Sequence, residues 1–463
     1  MLLLSLVLLT TPNFEAHFDH QTMRLDFFHT GNHEGETIAI DRTWNDGPWA
    51  GPVSQFIDPL NRGAYRFEIR TQAGELIFSK GFASIFGEWQ TTGEAKKRYG
   101  TFHESIRFPW PKNKVHILIQ KRVGTSKFET VWKHLLDPAY RQHNRSVPPA
   151  SSNVRALFSH GPSEKKVDIV LLSDGFKEMD KEAFFSHGER LSNALFEEEP
   201  FKSRKTDFNI WAVFTPSHEK GISKPHHGIH TRSALECQYS SFDSERYILS
   251  TANKKVRDAA SLVPYDFTII LIDEETYGGG GIYQLYATCP VHSEQSIYLF
   301  IHEFGHHFAA LADEYFTSDV AYEVDAETER PEPWEPNITA HPKREELKWA
   351  HLVKEDMPLP TPWEKKRFEA LGKEVRERRH QLRSQHADES QLNALFKYQA
   401  DSEYEIFKTS PYYLQVGAFE GGGYVSNGIY RPAIDCLMFS RNPVGFCPVC
   451  QEAIGDVIDY YTK

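Results

Sequence analysis

The chain has 463 residues, 40% of them hydrophobic and 13% aromatic, which is material for two or three domains with real cores. A formal net charge of -12 argues against the basic surface that a nucleic-acid partner would need, and no segment has the length of an apolar membrane span.

Residues 1–12 begin MLLLSLVLLT, an apolar run of signal-peptide type that lacks a positive n-region and an A-x-A site and is too short to span a bilayer. The expectation is an exported protein: periplasmic, cell-surface or secreted. Residues 13–145 have the texture of an all-β, sandwich-like domain. AYRFEIRT, ELIFSKGF and KVHILIQKR alternate apolar and polar positions, with turn signals NRG, QAG and PKN between runs. RQHNRSVPPASSN follows as a polar, Pro-containing linker.

Residues 154–463 read as α/β. VDIVLLSDG, FNIWAVF and DFTIILID are continuous apolar strands, as expected where both sheet faces are covered, and KEAFFSHGERLSNALF is a helical pattern between them. HHGIH brings His226, His227 and His230 onto one Pro- and Gly-containing loop, where solvated histidines are the first reading and a metal or substrate feature the second. TYGGGGIY has neither the Lys-Ser/Thr of a phosphate loop nor dinucleotide spacing, so nucleotide binding is rejected. Its backbone is equally suited to pairing with an extended peptide and to being a plain loop.

The run HEFGHHFAALADEY, His302 to Tyr315, carries the chemistry. On a helix, residues i and i+4 lie about 40° apart around the axis and roughly 6 Å apart along it, so His302 and His306 can turn a ring nitrogen toward one metal ion. Glu303 stands beside them, placed to take a proton without ligating. A chain with 22 histidines can produce this pattern by accident, so context decides. SIYLFI leads into His302 and an apolar mixture follows, which puts the motif on a buried helix where unpartnered polar groups are costly. A catalytic zinc takes three protein ligands and keeps one position open. Asp313 and Glu314 are the nearest candidates for the third. On a straight helix Asp313 would lie ~10 Å beyond His306, so the helix must end near Ala309 or Ala310 and the chain turn back, without a glycine to ease a left-handed turn.

Residues from about 331 to 400 form a charged insertion, in which PWEKKRFEALGKEVRERRHQLRSQ reads as a solvated helix. The triplet Asn337-Ile338-Thr339 has the form of a glycosylation sequon and carries no weight. Cys436, Cys447 and Cys450 cluster near the C-terminus, while Cys237 and Cys289 stand alone. The local sequence offers no fourth ligand for a structural zinc, so one disulfide within the trio is expected, with the odd cysteine free.

HEFGHHFAALADEY resembles the zinc signature of the IgA peptidase family of bacterial metallopeptidases, where a similar H-E-x-G-H run ends in A-D-E-Y. The family usually shows Gly where this chain has Ala310. VDIVLLSDGF, FNIWAVFTPS, YDFTIILIDEETYGGGGIY, VGAFEGGGYVSNGIYRPAIDCLM and FCPVC resemble further segments of the family in order, and MRLDFFHTG and NDGPWAG resemble the domain that precedes its peptidase. The resemblance implies an α/β zincin-like metallopeptidase domain preceded by the β domain, with His302, His306 and Asp313 as zinc ligands and Glu303 as the catalytic carboxylate. Met438 falls where related metallopeptidases carry a Met-containing turn under the metal. Tyr424, Tyr430 and His307 are the side chains offered as oxyanion donors. The expected activity is a zinc endopeptidase acting on a protein or glycoprotein. The competing reading is a catalytically decayed surface protein, or a glycan-binding module, working through the β domain.

Overall fold

The computed structural model describes residues 13–317, 330–385 and 387–463; the apolar run at residues 1–12, on which the export expectation rests, lies outside them. After a single turn of helix, α1 (Phe14–His17), the N-terminal half is built from two antiparallel sheets. In one, β1 (Phe18–Gly31) lies between β2 (Glu36–Pro48) and β5 (Gly100–Pro111). In the other, β3 (Tyr65–Thr71) is flanked by β4 (Leu76–Phe82) and β6 (Val115–Arg122), and β7 (Phe128–Leu136) closes the far edge. A short helix, α2 (Ile85–Trp89), joins the sheets. Period-two alternation decides which side chains go inside. Val115, Ile117 and Ile119 of β6 meet Leu25 and Phe27 of β1 in one core shared by both sheets.

The linker predicted at 141–153 contains neither helix nor strand, but its first part is pinned. Asn144 donates its N–H to Thr43 O (3.1 Å), and its carbonyl accepts from the N–H of Asn45 (2.8 Å).

The second half centres on a six-stranded mixed sheet in the order β14-β15-β13-β9-β10-β8. Its members are β8 (Val154–Phe158), β9 (Val167–Asp174), β10 (Phe208–Val213), β13 (Phe267–Ile272), β14 (Gly280–Ile282) and β15 (Tyr286–Pro290); the two-residue pair β11 (Cys237–Gln238) and β12 (Leu249–Ser250) stands apart. The four inner strands are parallel, and β8 and β14 run antiparallel on the edges. Every residue of β9 and β13 is buried, which explains the apolar runs at residues 169–172 and 269–272 within them. Helices α3 (Lys181–Leu195), α4 (Asn253–Ala260), α5 (Ser296–Ala309) and α8 (Pro448–Thr462) cover the sheet. Phe304 and Phe308 of α5 pack on Phe267, fixing that helix against the inner strands.

In place of one solvated helix, the charged region forms two, α6 (Lys365–Ser384) and α7 (Glu389–Phe407). Phe368, Gly372 and Val375 give α6 a buried face, and a Cβ at Gly372 would come within 2.8 Å of Thr317, so the helix seats directly on the segment that follows the metal motif. A hairpin of β16 (Phe419–Gly422) and β17 (Val425–Arg431) precedes α8. None of the helices among the described residues is long and apolar enough to cross a membrane.

The two halves are joined by buried polar contacts. Arg62 donates to Ala309 O (3.2 Å) and Ala453 O (2.8 Å) and pairs with Asp456 (3.1 Å). Arg107 donates to Tyr265 O (2.9 Å), while the Tyr265 hydroxyl donates to Asp46 (2.9 Å). Since Ala309 ends α5, the β half supplies a cation to the C-terminal carbonyls of that helix, where the helix dipole favours positive charge.

Candidate metal centre and cleft

Helix α5 ends where the sequence requires it to end. Ala310 adopts a left-handed conformation (φ 57, ψ 31), its N–H returning to His306 O (3.0 Å) and the Leu311 N–H to Gly305 O (3.4 Å). The reversal brings Asp313 back under the helix face. His302 Nε2 lies 3.0 Å from Asp313 Oδ1, His306 Nε2 3.3 Å from the same oxygen, and the two ring nitrogens 3.2 Å from each other. For a tetrahedral zinc with bonds of about 2.0–2.1 Å, neighbouring ligand atoms stand about 3.3 Å apart, so all three edges match.

The second nitrogen of each ring is committed. His302 Nδ1 donates to Leu437 O (3.1 Å), with the Tyr298 hydroxyl 3.2 Å away, and His306 Nδ1 donates to Leu311 O (2.5 Å). A carbonyl can only accept, so each Nδ1 carries the proton and each Nε2 presents a lone pair to the same point. Two lone pairs and a carboxylate facing one another repel unless a cation lies between them, and the donor set fits zinc. Without a metal, a proton takes that place. Burial opposes charge on His306, yet Asp313 outweighs it and lifts the ring to about 9. Despite its own burial, Asp313 is held well below the usual carboxylate range by His306 and His302. Tyr424 donates its hydroxyl to Asp313 Oδ2, fixing the carboxylate from its other side.

Glu303 is half-buried on the same helix, with burial pushing its carboxyl up against the pull of the His302 and His306 rings. Its carboxylate lies on the glycine run: a Cβ at Gly279 would stand 2.8 Å from Glu303 Oε1, and one at Gly281 2.2 Å from the Glu303 carbonyl. The glycines of TYGGGGIY are therefore needed for β14 to approach α5. The outer edge of that run is already engaged at Gly279, which exchanges hydrogen bonds with Arg246 O and Ile248 N (3.1 Å each).

Met438 is buried beneath α5, its sulfur 3.0 Å from where a Cβ of Gly305 would be, and its carbonyl accepts from Glu314 N–H (2.9 Å). Glu314, the other candidate third ligand, faces away from the histidines toward Asn337 (3.0 Å) and Cys450 (3.3 Å). His307 is buried against the sheet, where Nδ1 donates to Ile282 O (2.9 Å) and Nε2 accepts from Thr268 N–H (3.1 Å); burial pushes this ring down to about 3. It is a structural hydrogen-bonding residue, not an oxyanion donor. Tyr430 lies on β17, its backbone pairing with Thr339, and its side chain makes no hydrogen bond to His302, Glu303, His306 or Asp313 among the described residues.

His226 and His227 line a cleft together with Lys224, Glu245, Arg246, Arg379 and Arg383. The cleft adjoins the metal ligands, because Arg246 donates to the Tyr315 hydroxyl (3.2 Å) and the Tyr315 ring lies nearly parallel to that of His302. Burial, with the neighbouring Arg246, Arg441 and Arg383, pushes Arg379 down to about 10, while Lys224 and Arg383 are paired with Glu274 (2.7 Å) and Glu389 (2.6 Å). His230 is exposed on the same loop.

The cysteine expectation is corrected. All five cysteines are free and buried, so no disulfide links the C-terminal trio. Asn337 is fully buried, accepting from Ala312 N–H (2.7 Å) and donating to Ala312 O (2.9 Å), which makes it a clamp on the metal-bearing segment rather than a glycosylation site. Sequence reading missed Asn337, Arg62 and the Leu437 carbonyl because each reaches the site from a distant segment.

Residues 156–458 match the family model described as IgA Peptidase M64, and residues 13–133 match that of the Peptidase M64 N-terminus. No curated protein matches the chain.

Proposed function

The chain belongs to the IgA peptidase M64 family, a family of metallopeptidases, and on that premise we propose that it is an exported, zinc-dependent endopeptidase with a zincin-like catalytic domain. The observation that carries the reading is the convergence of His302 Nε2, His306 Nε2 and Asp313 Oδ1 at 3.0 to 3.3 Å, beside a carboxylate that is not part of the set. When bound, the zinc would polarise a water molecule and the scissile carbonyl. Glu303 takes a proton from the attacking water and delivers it to the leaving amine, a role suited to a carboxyl whose affinity for protons is raised by burial. Tyr424 holds Asp313 in position through its hydroxyl. Arg246 and Arg379, in the cleft beside Tyr315, favour a protein or glycoprotein substrate that carries an acidic group near the scissile bond. Export is supported by the leader-like run at residues 1–12.

The competing reading of a decayed surface or glycan-binding protein fares worse, since His302, Glu303, His306 and Asp313 are all present and Arg62 of the β half is committed to the end of α5. A peptide-library digest with Glu303→Gln tests the mechanism. Cleavage should fall by about 10²–10⁴-fold while zinc stays bound, and the wild-type cleavage sites should be enriched in acidic residues. Undiminished cleavage by Glu303→Gln would end this assignment.

A further inference from the structure

One peptide bond beyond Asp313 begins a second cluster of donors. Glu314, Cys436, Cys447 and Cys450 are all buried, and one ligand atom from each lies within 4.8 Å of all the others. Cys436 Sγ and Cys450 Sγ are 3.8 Å apart, and Cys450 Sγ is 3.3 Å from Glu314 Oε1. For a tetrahedral zinc with Zn–S bonds of about 2.3 Å and a Zn–O bond of about 2.0 Å, the sulfur–sulfur edge is about 3.8 Å and the sulfur–oxygen edge about 3.5 Å. The observed spacings fall on those edges, and the sulfur pair is far from the ~2.0 Å of a disulfide.

The groups around the cluster are arranged for anionic ligands. Glu314 is fully buried, and its Oε2 has no hydrogen-bond partner among the described residues. Cys447 caps α8 and Cys450 lies in its first turn, where unpaired N–H groups and the helix dipole favour thiolate. The Cys447 N–H also donates to Cys436 Sγ (3.3 Å). The guanidinium of Arg431, fully buried, sits within the electrostatic reach of Glu314 and Cys436. In the ionised form that binds a metal, a carboxylate and three thiolates beside one buried arginine would carry a surplus of negative charge, which a divalent cation would neutralise.

We propose that Glu314, Cys436, Cys447 and Cys450 bind a second zinc ion. With four protein ligands the site is closed, so the ion is structural, and three thiolates with one carboxylate are a soft to borderline set that suits zinc. The ion ties together the segment carrying Asp313, the start of α8, and the loop whose Leu437 carbonyl receives His302 Nδ1. It therefore braces the first centre from below without touching its ligands.

The test is metal content and cobalt spectroscopy on the full chain. Wild type should hold two zinc ions, and His302→Ala/His306→Ala and Cys447→Ser/Cys450→Ser should each hold one. After cobalt replacement, the thiolate-to-cobalt charge-transfer band should appear in wild type and in the histidine variant and be absent from the cysteine variant. One ion in wild type with none in the histidine variant, or no thiolate band in either, overturns the proposal. So does a denatured wild-type chain with three titratable thiols in place of five, since that shows a disulfide. Should the cysteine variant fail to fold, the wild-type and histidine-variant measurements decide alone. A missing first ion with the thiolate band retained would count against the peptidase reading and leave this site standing.

Discussion

Asp313 and Glu314 are chain neighbours, yet they face opposite ways into two donor clusters built on different plans. The first has two imidazoles and a carboxylate, and its His306 side chain is 15% exposed. The second has three sulfurs and a carboxylate, all buried, with no side left for substrate. Three donors with an accessible face suit chemistry, and four donors in a dry interior suit bracing. The contrast is set in the segment after Ala310, where Asp313 reaches the two histidines and Glu314 reaches Asn337 and Cys450.

Chelation puts that contrast under the largest strain. A chelator in excess should strip the accessible ion and abolish cleavage, while the closed site keeps its ion until the chain unfolds. Metal content and activity followed together should show one ion lost with all of the activity. Simultaneous loss of both ions would mean that the second site is as accessible as the first.

A smaller effect separates the two tyrosines. The Tyr424 hydroxyl orients Asp313, so Tyr424→Phe should weaken zinc affinity at the open site by about 10–100-fold, measured by competition with a chromophoric chelator, and leave the cysteine site filled. Tyr430→Phe should leave both sites unchanged, because no hydrogen bond connects its side chain to either donor set among the described residues. Equal losses from the two substitutions would remove Tyr424 from its positioning role.

What could be read from sequence depended on how locally each feature is encoded. His302, Glu303 and His306 lie within little more than one helical turn, so spacing alone brings them together. The need for a reversal near Ala310 followed from helix geometry, and the β half from its alternating strands. The second donor cluster was hidden because Glu314 lies far upstream of the CPVC segment, and only the packing of α8 under α5 brings them together. Arg62 was equally invisible, because its carbonyl partner at Ala309 belongs to another half of the molecule. The charged insertion was read as one solvated helix, since alternating charges on α6 masked the sparse apolar face of Phe368 and Val375.

The smallest expected effect concerns the turn from which the two clusters diverge. Ala310 holds a left-handed conformation that costs an L-residue about 1–2 kcal/mol, and glycine adopts it without that cost. Glycine also gains freedom in the unfolded chain, which takes back about 0.4–1 kcal/mol. Ala310→Gly should therefore raise stability by about 0.5–1 kcal/mol in denaturant titration. Zinc affinity should not change, because the bond from His306 Nδ1 to Leu311 O and the grip of Asn337 on Ala312 fix the backbone immediately after the turn. A stabilised variant that binds zinc more weakly would instead mean that the stiff alanine turn itself holds Asp313 in register, making the strain at Ala310 part of the open site.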